Sequence, residues 1–397
     1  MRIFAFKQSS IKFILKKLRD LFVFIFANII SKKPRYIKDS IIILRSDAIG
    51  DYLLFRNFLK EIKIAYPSHN ITLLGNITWS ELALYFDKEN IDHFIFFHPV
   101  KLTKNPLYAV RFLHKLKQNK YSIFINTLYS RDSINFLLST YINADFSTAP
   151  KGDCIDATKS AKKKNDKIYT KIYPSKQEIL FEFYRNMEFF EHFLHKKLKT
   201  RLEISYTKIL EINEKFTLKT PYSILFIGAS TAFRKWNIES FGKVGIYLIE
   251  KYAQNIVICG GKEDKENADK LQKILESKQS KIYNLAGLTS LLDLTKIVHN
   301  SKCLITNETS CAHLGAILDT TNVFVVSNGN HLGRFIPYPK ELREKYYPIF
   351  HHFIRQNIDK YEELSNEYAY KSTLDINEIS FLDVIEMINL TLQKEKI

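Results

Sequence analysis

The sequence is short of cysteine: it has four, Cys154, Cys259, Cys303 and Cys311, and none stands at a metal-binding spacing. That removes a cysteine-built metal centre. Cys259 and Cys303 lie inside apolar, strand-like runs and read as buried free thiols, which fits a reducing compartment. Long apolar runs are also missing. The stretch Leu21 to Ile30 falls short of the roughly 20 residues that span a bilayer, and Ala27-Asn28-Ile29-Ile30 is a poor signal-peptidase site. Acidic side chains are outnumbered, 42 against 59 Lys and Arg, for a net charge of +17. An excess of that size implies an anionic partner: nucleic acid, a phosphorylated glycan or an anionic membrane surface. No nucleic-acid-binding module accompanies it, and the excess concentrates in the N-terminus and in Lys151–Lys167, so nucleic acid is not the expected partner.

What is present is α/β alternation. A chain of 397 residues exceeds the size at which single cores stop growing, about 250–300 residues, so two domains are expected. The stretch Lys302–Pro339 shows the unit clearly. Cys303-Leu304-Ile305 is a short apolar strand, Thr306-Asn307-Glu308-Thr309-Ser310 a polar loop, and Ala312 to Leu318 a small-residue helix. Val323–Val326 is a second strand, ending on Ser327-Asn328-Gly329-Asn330. Ligands in open α/β sheets sit outside the carboxyl ends of the strands. The loop before the helix therefore offers backbone N–H groups to an anion, with hydroxyls from Thr306, Thr309 and Ser310. The plainer reading is that Thr309 or Ser310 only caps the helix.

The same alternation runs through both halves. Ile41–Leu44 reads as a buried parallel strand, followed by the turn Arg45–Asp51 and a helix through Leu53 to Ile62. Strand-like runs recur at Ile71–Leu74, Phe94–Phe97 and Ser122–Asn126. Pro150–Thr170 is polar, with Lys151, Lys159, Lys162, Lys163, Lys164 and Lys167; it is either a solvated loop or a cationic grip on a phosphorylated acceptor. An aromatic-rich helix is expected over 174–200. The second half restarts with the strand Ser223–Ile227 and the loop Gly228-Ala229-Ser230-Thr231. Ala232–Trp236 leads into a helix from Ile238 to Lys251. Ile256–Cys259 ends on Gly260-Gly261, and Ile282–Leu285 precedes Ala286-Gly287. The N-terminal stretch is basic and apolar, which suits a membrane interface or a helix packed on the fold.

Taken together, these blocks resemble glycosyltransferase family 9, the bacterial lipopolysaccharide heptosyltransferase family. The likeness rests on Ile42–Asp51, on Ile227–Ser230 with Arg234-Lys235-Trp236, on Gly260-Gly261, on Leu285-Ala286-Gly287 with Thr289-Ser290, and on Lys302–Pro339. The resemblance implies an α/β, GT-B fold of two Rossmann-like domains facing each other across a cleft. The expected boundaries are a membrane-surface segment over 1–39, an acceptor domain over 40–205, a nucleotide-sugar donor domain over 206–375, and a closing helix over 376–397 returning to the first domain.

The resemblance also implies roles. Asp51 matches the family's proposed general base, with Gly50 beside it on the acceptor side; Asp51 read only as a first-turn helix acid is the plainer alternative. Asp47 is a loop or capping residue. Arg234 and Lys235 match the basic pair that neutralises the diphosphate leaving group, in exchanged order, with Ser230, Thr231, Thr309 and Ser310 assisting. Glu308 stands where the family usually has Asp, and Ser310 where it has Gly. Gly260, Glu308 and His313 face the donor nucleotide or sugar; His313 has packing as its second reading. Gly329–Arg334 departs from the family's usual Gly-Pro-Thr, and His331 and Arg334 there are candidate contacts to the donor sugar or its phosphate. Apart from the resemblance, Lys151 and Lys163 of the lysine-rich stretch are the candidate acceptor contacts, with a solvated loop as the alternative.

No Asp-x-Asp pair occurs anywhere, so no metal–diphosphate clamp, metal or other cofactor is expected. The implied activity is inverting, metal-independent transfer of a sugar, by default heptose from ADP-heptose, to a lipid-linked or phosphorylated glycan. It would take place on the cytoplasmic face of the bacterial inner membrane. A non-catalytic nucleotide-sugar or glycan binder and a nucleotide-sugar epimerase are the alternatives.

Overall fold

The apolar runs form buried parallel strands. Arg35–Arg45 (β1), Asn70–Asn76 (β2), His93–Phe97 (β3), Asn119–Asn126 (β4), Asn143–Pro150 (β5) and Lys171–Tyr173 (β6) pair in the order β3-β2-β1-β4-β5-β6. Every pairing is parallel. Tyr222–Phe226 (β7), Asn255–Cys259 (β8), Ile282–Asn284 (β9), Cys303–Asn307 (β10), Asn322–Ser327 (β11) and Tyr346–Phe350 (β12) pair in the order β12-β11-β10-β7-β8-β9, again all parallel. Counted from its own first strand, the second sheet repeats the order of the first, the doubly wound order of a dinucleotide-binding fold. Sequences such as NIVIC in β8 and NVFVVS in β11 are buried at every position, as strands covered by helices on both faces must be.

This computed structural model describes residues 19, 22–23, 25–28, 33–276 and 280–394. The basic segment expected over 1–39 lies largely outside the described residues. The helices used below are Ile49–Phe55 (α1), Pro99–Lys104 (α2), Pro106–Lys117 (α3), Ser133–Thr140 (α4), Lys159–Asp166 (α5), Glu182–Leu194 (α6), Ile238–Tyr252 (α7), Ser310–Leu318 (α8) and Phe381–Lys394 (α9).

By contacts the chain divides into two units, the first made of Met1–Ala48, Leu59–Lys176 and Glu188–Lys197, the second of Ile49–Phe58, Gln177–Met187 and Leu198–Ile397. The first centres on Ile42, Leu44, Leu74, Leu113 and Phe124, with Val23 and Ala27 packed in. The second centres on Leu225, Ile305, Phe324, Trp236 and Phe241. Helix α1 follows β1 in the chain yet belongs to the second unit, where it packs on α8.

Three expectations change. The first strand starts at Arg35, not near Ser40, because Arg35, Tyr36 and Ile37 pair with Asn119, Lys120 and Tyr121 before the register shifts. The lysine-rich stretch is not all loop: Thr158 accepts from the Ala161 N–H and caps α5. The closing helix, expected to return to the first domain, lays Val384, Ile388 and Leu392 into the core of the second unit.

Candidate functional site

The second sheet reverses its strand order between β7 and β10, so the loops after these two strands flank the place where an open α/β sheet takes its ligand. Asn307 joins the two loops: its Oδ1 accepts from the Trp236 N–H at 3.0 Å, and its Nδ2 donates to the Ile227 carbonyl at 2.9 Å. The Trp236 indole N–H donates to the Ile379 carbonyl at 3.0 Å, which holds the basic pair to the body of the unit.

Arg234 leaves the loop after β7 and meets Glu308 at the end of β10. Its Nη1 donates to Glu308 Oε2 at 2.9 Å, its Nε to Thr231 Oγ1 at 3.1 Å, and its Nη2 to Ser230 Oγ. Glu308 is nearly inaccessible and is shared further: His331 Nδ1 lies 3.3 Å from Oε1, and Asn330 Nδ2 donates to Oε2 at 3.4 Å. Burial pushes the Glu308 carboxyl up, but His331 and Arg234 together outweigh it and hold the group down to about 2. His331 reaches the carboxylate from a left-handed backbone, φ 63°, a conformation His tolerates better than most residues.

Lys235 turns the other way and donates to Asp264 Oδ1, while Asp264 Oδ2 accepts from the Gly261 N–H at 2.9 Å. Gly228 makes room for this carboxylate; a Cβ there would stand 2.6 Å from Asp264 Oδ2. The Gly260 carbonyl accepts from the Gly287 N–H at 3.0 Å, bringing the loop after β9 alongside. Thr309 precedes α8 with an extended backbone and makes no side-chain capping bond, and Ser310 is half-buried beside it. Their hydroxyls are thus placed at the start of α8 without serving the cap that the plainer reading assigned them.

His313 lies one turn into α8, buried, with Nδ1 2.8 Å from the Tyr338 hydroxyl. Burial pushes its pKa down to about 4 against the pull of Glu308 and Asp51, so the ring is neutral at neutral pH. Gly50 faces this ring: a Cβ would sit 2.6 Å from His313 Cδ2. Close approach of α1 to α8 therefore requires glycine, and it brings Asp51, half-buried in the first turn of α1, into the electrostatic reach of His313.

The remaining expected residues lie elsewhere. Arg334 packs over the Tyr370 ring at 4.4 Å, with Nη2 3.8 Å from Glu182 Oε2. Lys151 and Lys163 are exposed on the first unit. The sequence reading missed Asp264, Asn307, Asn330 and Tyr338 as partners of the site. Asn307 and Asn330 lay in the polar loops after the two strands, and Asp264 was an acid just behind Gly260-Gly261; Tyr338 carried no signal.

Among the described residues, one cluster has metal-ligand spacing: His351, His352 and Glu378. His351 Nδ1 accepts from the Phe353 N–H at 3.1 Å, which leaves its ring proton on Nε2, facing Glu378 Oε2 at 2.8 Å. Both ring nitrogens are committed, and the cluster reads as a capped helix start.

Two parallel, doubly wound six-stranded sheets are the architecture of the GT-B fold, and a paired Arg–Lys motif stands at the switch point of the second. The profile of glycosyltransferase family 9 (heptosyltransferase) matches residues 110–342, and the chain belongs to that family. Among solved structures it is similar to the glycosyl transferase family 9 protein of Veillonella parvula, with TM-score 0.66, 18% identity, and 90% of this chain and 98% of that one covered. It is also similar to E. coli ADP-heptose lps heptosyltransferase II, with TM-score 0.63, 15% identity and coverages of 90% and 100%. E. coli heptosyltransferase WaaC with ADP gives 0.64, 14%, 89% and 98%. No curated protein sequence matches the chain. The family membership makes the protein a glycosyltransferase, and the solved structures bear out the fold.

Proposed function

We propose that the protein transfers a sugar, heptose from ADP-heptose by default, to a lipid-linked or phosphorylated glycan of the lipopolysaccharide core or a related surface polymer, with inversion and without a metal. The observation that carries this is the convergence of Arg234, Lys235 and the start of α8 on the switch point, with Asp51 presented from α1 against α8. A diphosphate there meets two cations and the backbone N–H groups of a helix start, which replace a metal in neutralising the leaving group.

In this reading Asp51 takes the proton of the acceptor hydroxyl as its oxygen attacks the anomeric carbon. The bond from that carbon to the phosphate oxygen breaks on the opposite face, and its electron pair leaves with the nucleoside diphosphate. Neutral His313 keeps α1 in register without adding charge. Solved relatives support the donor class: one is described as an ADP-heptose enzyme and another as a complex with ADP-2-deoxy-2-fluoro heptose. Lys151 and Lys163 are the proposed cations for a phosphorylated acceptor. We also place the protein at the cytoplasmic face of the inner membrane, held by its basic N-terminal stretch. Among the described residues no helix is long and apolar enough to cross a membrane.

The test is a pair of measurements on wild type and Asp51→Asn without added metal: the melting-temperature shift with ADP-, GDP-, UDP- and CDP-sugars, and sugar transfer followed by mass spectrometry. The expected result is a shift with ADP-heptose in both proteins, and turnover in the variant reduced about 10²–10⁴-fold. Equal turnover in the variant would remove Asp51 as the base.

A further inference from the structure

The first unit carries an apolar groove of about 560 Å³ that plays no part in the transfer chemistry above. That volume lies within the range of about 300–1,000 Å³ typical of small-molecule sites. Val23, Leu102, Ala109, Ile134, Leu137 and Ile168 are among its apolar lining residues. Helix α5 contributes Ala161, Lys164 and Asn165, spaced three and four residues apart with Ile168 following, so one face of this basic helix looks into the groove. Arg19 lines it too, with its guanidinium donating to the Thr103 carbonyl.

The elements around the groove also expose large apolar side chains: Phe26 is 43% exposed, Val100 on α2 53%, and Leu107 on α3 60%. Lys159, Lys163, Lys164 and Lys167 are all exposed on or beside α5. A largely apolar groove, exposed apolar side chains and a basic helix that lines the groove with Lys164 are the features of a surface that meets an anionic lipid.

We propose that this groove takes the acyl chain of an anionic bilayer phospholipid, whose phosphate pairs with Lys164 and Lys167. A single buried chain anchors a protein only marginally, and a chain together with a basic patch anchors it stably. The groove and α5 supply these two contributions from one unit. The inference is independent of the transferase reading. It rests on the membrane-surface reading and deepens it by giving the lipid a site among the described residues.

The experiment uses the full chain and three variants. Ala161→Phe and Thr140→Trp fill the groove from partly exposed positions, and Lys164→Glu/Lys167→Glu reverses the charge beside it; unliganded melting temperatures confirm folding. Two probes are used: dodecyl phosphate below its micelle concentration, read by melting temperature, and sedimentation with vesicles of phosphatidylcholine alone or mixed equally with phosphatidylglycerol. The expected result is stabilisation by dodecyl phosphate but not by inorganic phosphate, and sedimentation only with anionic vesicles. Each groove-filling variant should bind the amphiphile about tenfold more weakly, the loss of two or more buried methylenes. The charge-reversed variant should lose vesicle binding. Vesicle binding by wild type without any response to dodecyl phosphate, or unchanged amphiphile binding by both groove-filling variants, would overturn the groove and leave the surface reading standing. No vesicle binding at all would remove both, and a donor-sugar shift in the same preparations would show that the transferase reading survives.

Discussion

In the second unit Arg234 and Lys235 each hold a carboxylate that is almost wholly buried, Glu308 at 5% and Asp264 at 2% side-chain exposure. In the first unit, of the lysines on helix α5 only Lys162 is buried; it bridges to Asp166 at 2.7 Å beside Arg131 at 2.6 Å, while Lys159, Lys163 and Lys164 are exposed. The difference is one of preorganisation. A cation fixed against a buried acid already has its position and its desolvation set before ligand arrives, and an incoming diphosphate competes for a charge that is in place. An exposed lysine keeps its water and its rotamer freedom, and gives attraction without geometry.

The strongest way to break this contrast is Arg234→Met. Removing Arg234 leaves the buried Glu308 carboxylate with only His331 and Asn330 as partners, an expected loss of about 2–3 kcal/mol in stability, below that for a wholly uncompensated buried charge, read by urea unfolding. Transfer should fall by about 10²–10³-fold, as for loss of a donor that stabilises developing charge. Pairing it with Glu308→Met should restore most of the stability and none of the activity. If the single variant is as stable as wild type, the pair is not the preorganised element described here.

The next effect is on pH. The folded pKa of His313 is depressed to about 4 from 6.5 by burial, so the unfolded chain binds the proton first as pH falls. Stability from this group is therefore present above about pH 6.5 and is lost progressively down to about pH 4, by roughly 3 kcal/mol in total. Glu308, also depressed, to about 2, adds a second loss that begins near its unfolded value of 4.5 and continues toward pH 2. Urea midpoints across pH 4 to 7 should show the first slope in wild type and a flattened one in His313→Leu. An unchanged slope in the variant would mean that other groups govern this range.

The sequence made the strands of both sheets legible where burial on two faces forces unbroken apolar runs, as at Ile41–Leu44, Ile256–Cys259 and Val323–Val326. It hid β12, because Pro348 breaks the pattern; the strand is tolerated because it lies at the sheet edge. It also hid β5, whose NADFSTAP sequence has no period-two stripe. Within the site, Arg234, Lys235 and Glu308 were named from the sequence through the family resemblance, and His331 from the loop that departs from it, whereas which group pairs with which was not legible. Asp264 and His331 lie 29 and 23 residues from the groups they hold, and the His331 contact depends on a left-handed backbone that no local pattern announces.

The smallest predicted effect sharpens the contrast from the other side. Lys163→Ala and Lys164→Ala remove exposed cations with no buried acid to strand, so each should change stability by no more than about 0.5 kcal/mol. Lys162→Ala on the same helix should cost more, about 1 kcal/mol, because Lys162 shares Asp166 with the buried Arg131. The three substitutions have the same chemistry and the same helix propensity, so an ordering among them by urea unfolding reports how far each lysine is buried and paired. If Lys163→Ala or Lys164→Ala proved as costly as Lys162→Ala, α5 would be held by its whole basic face. The distinction between a paired cation that builds a site and an exposed one that only attracts would then fail within a single helix.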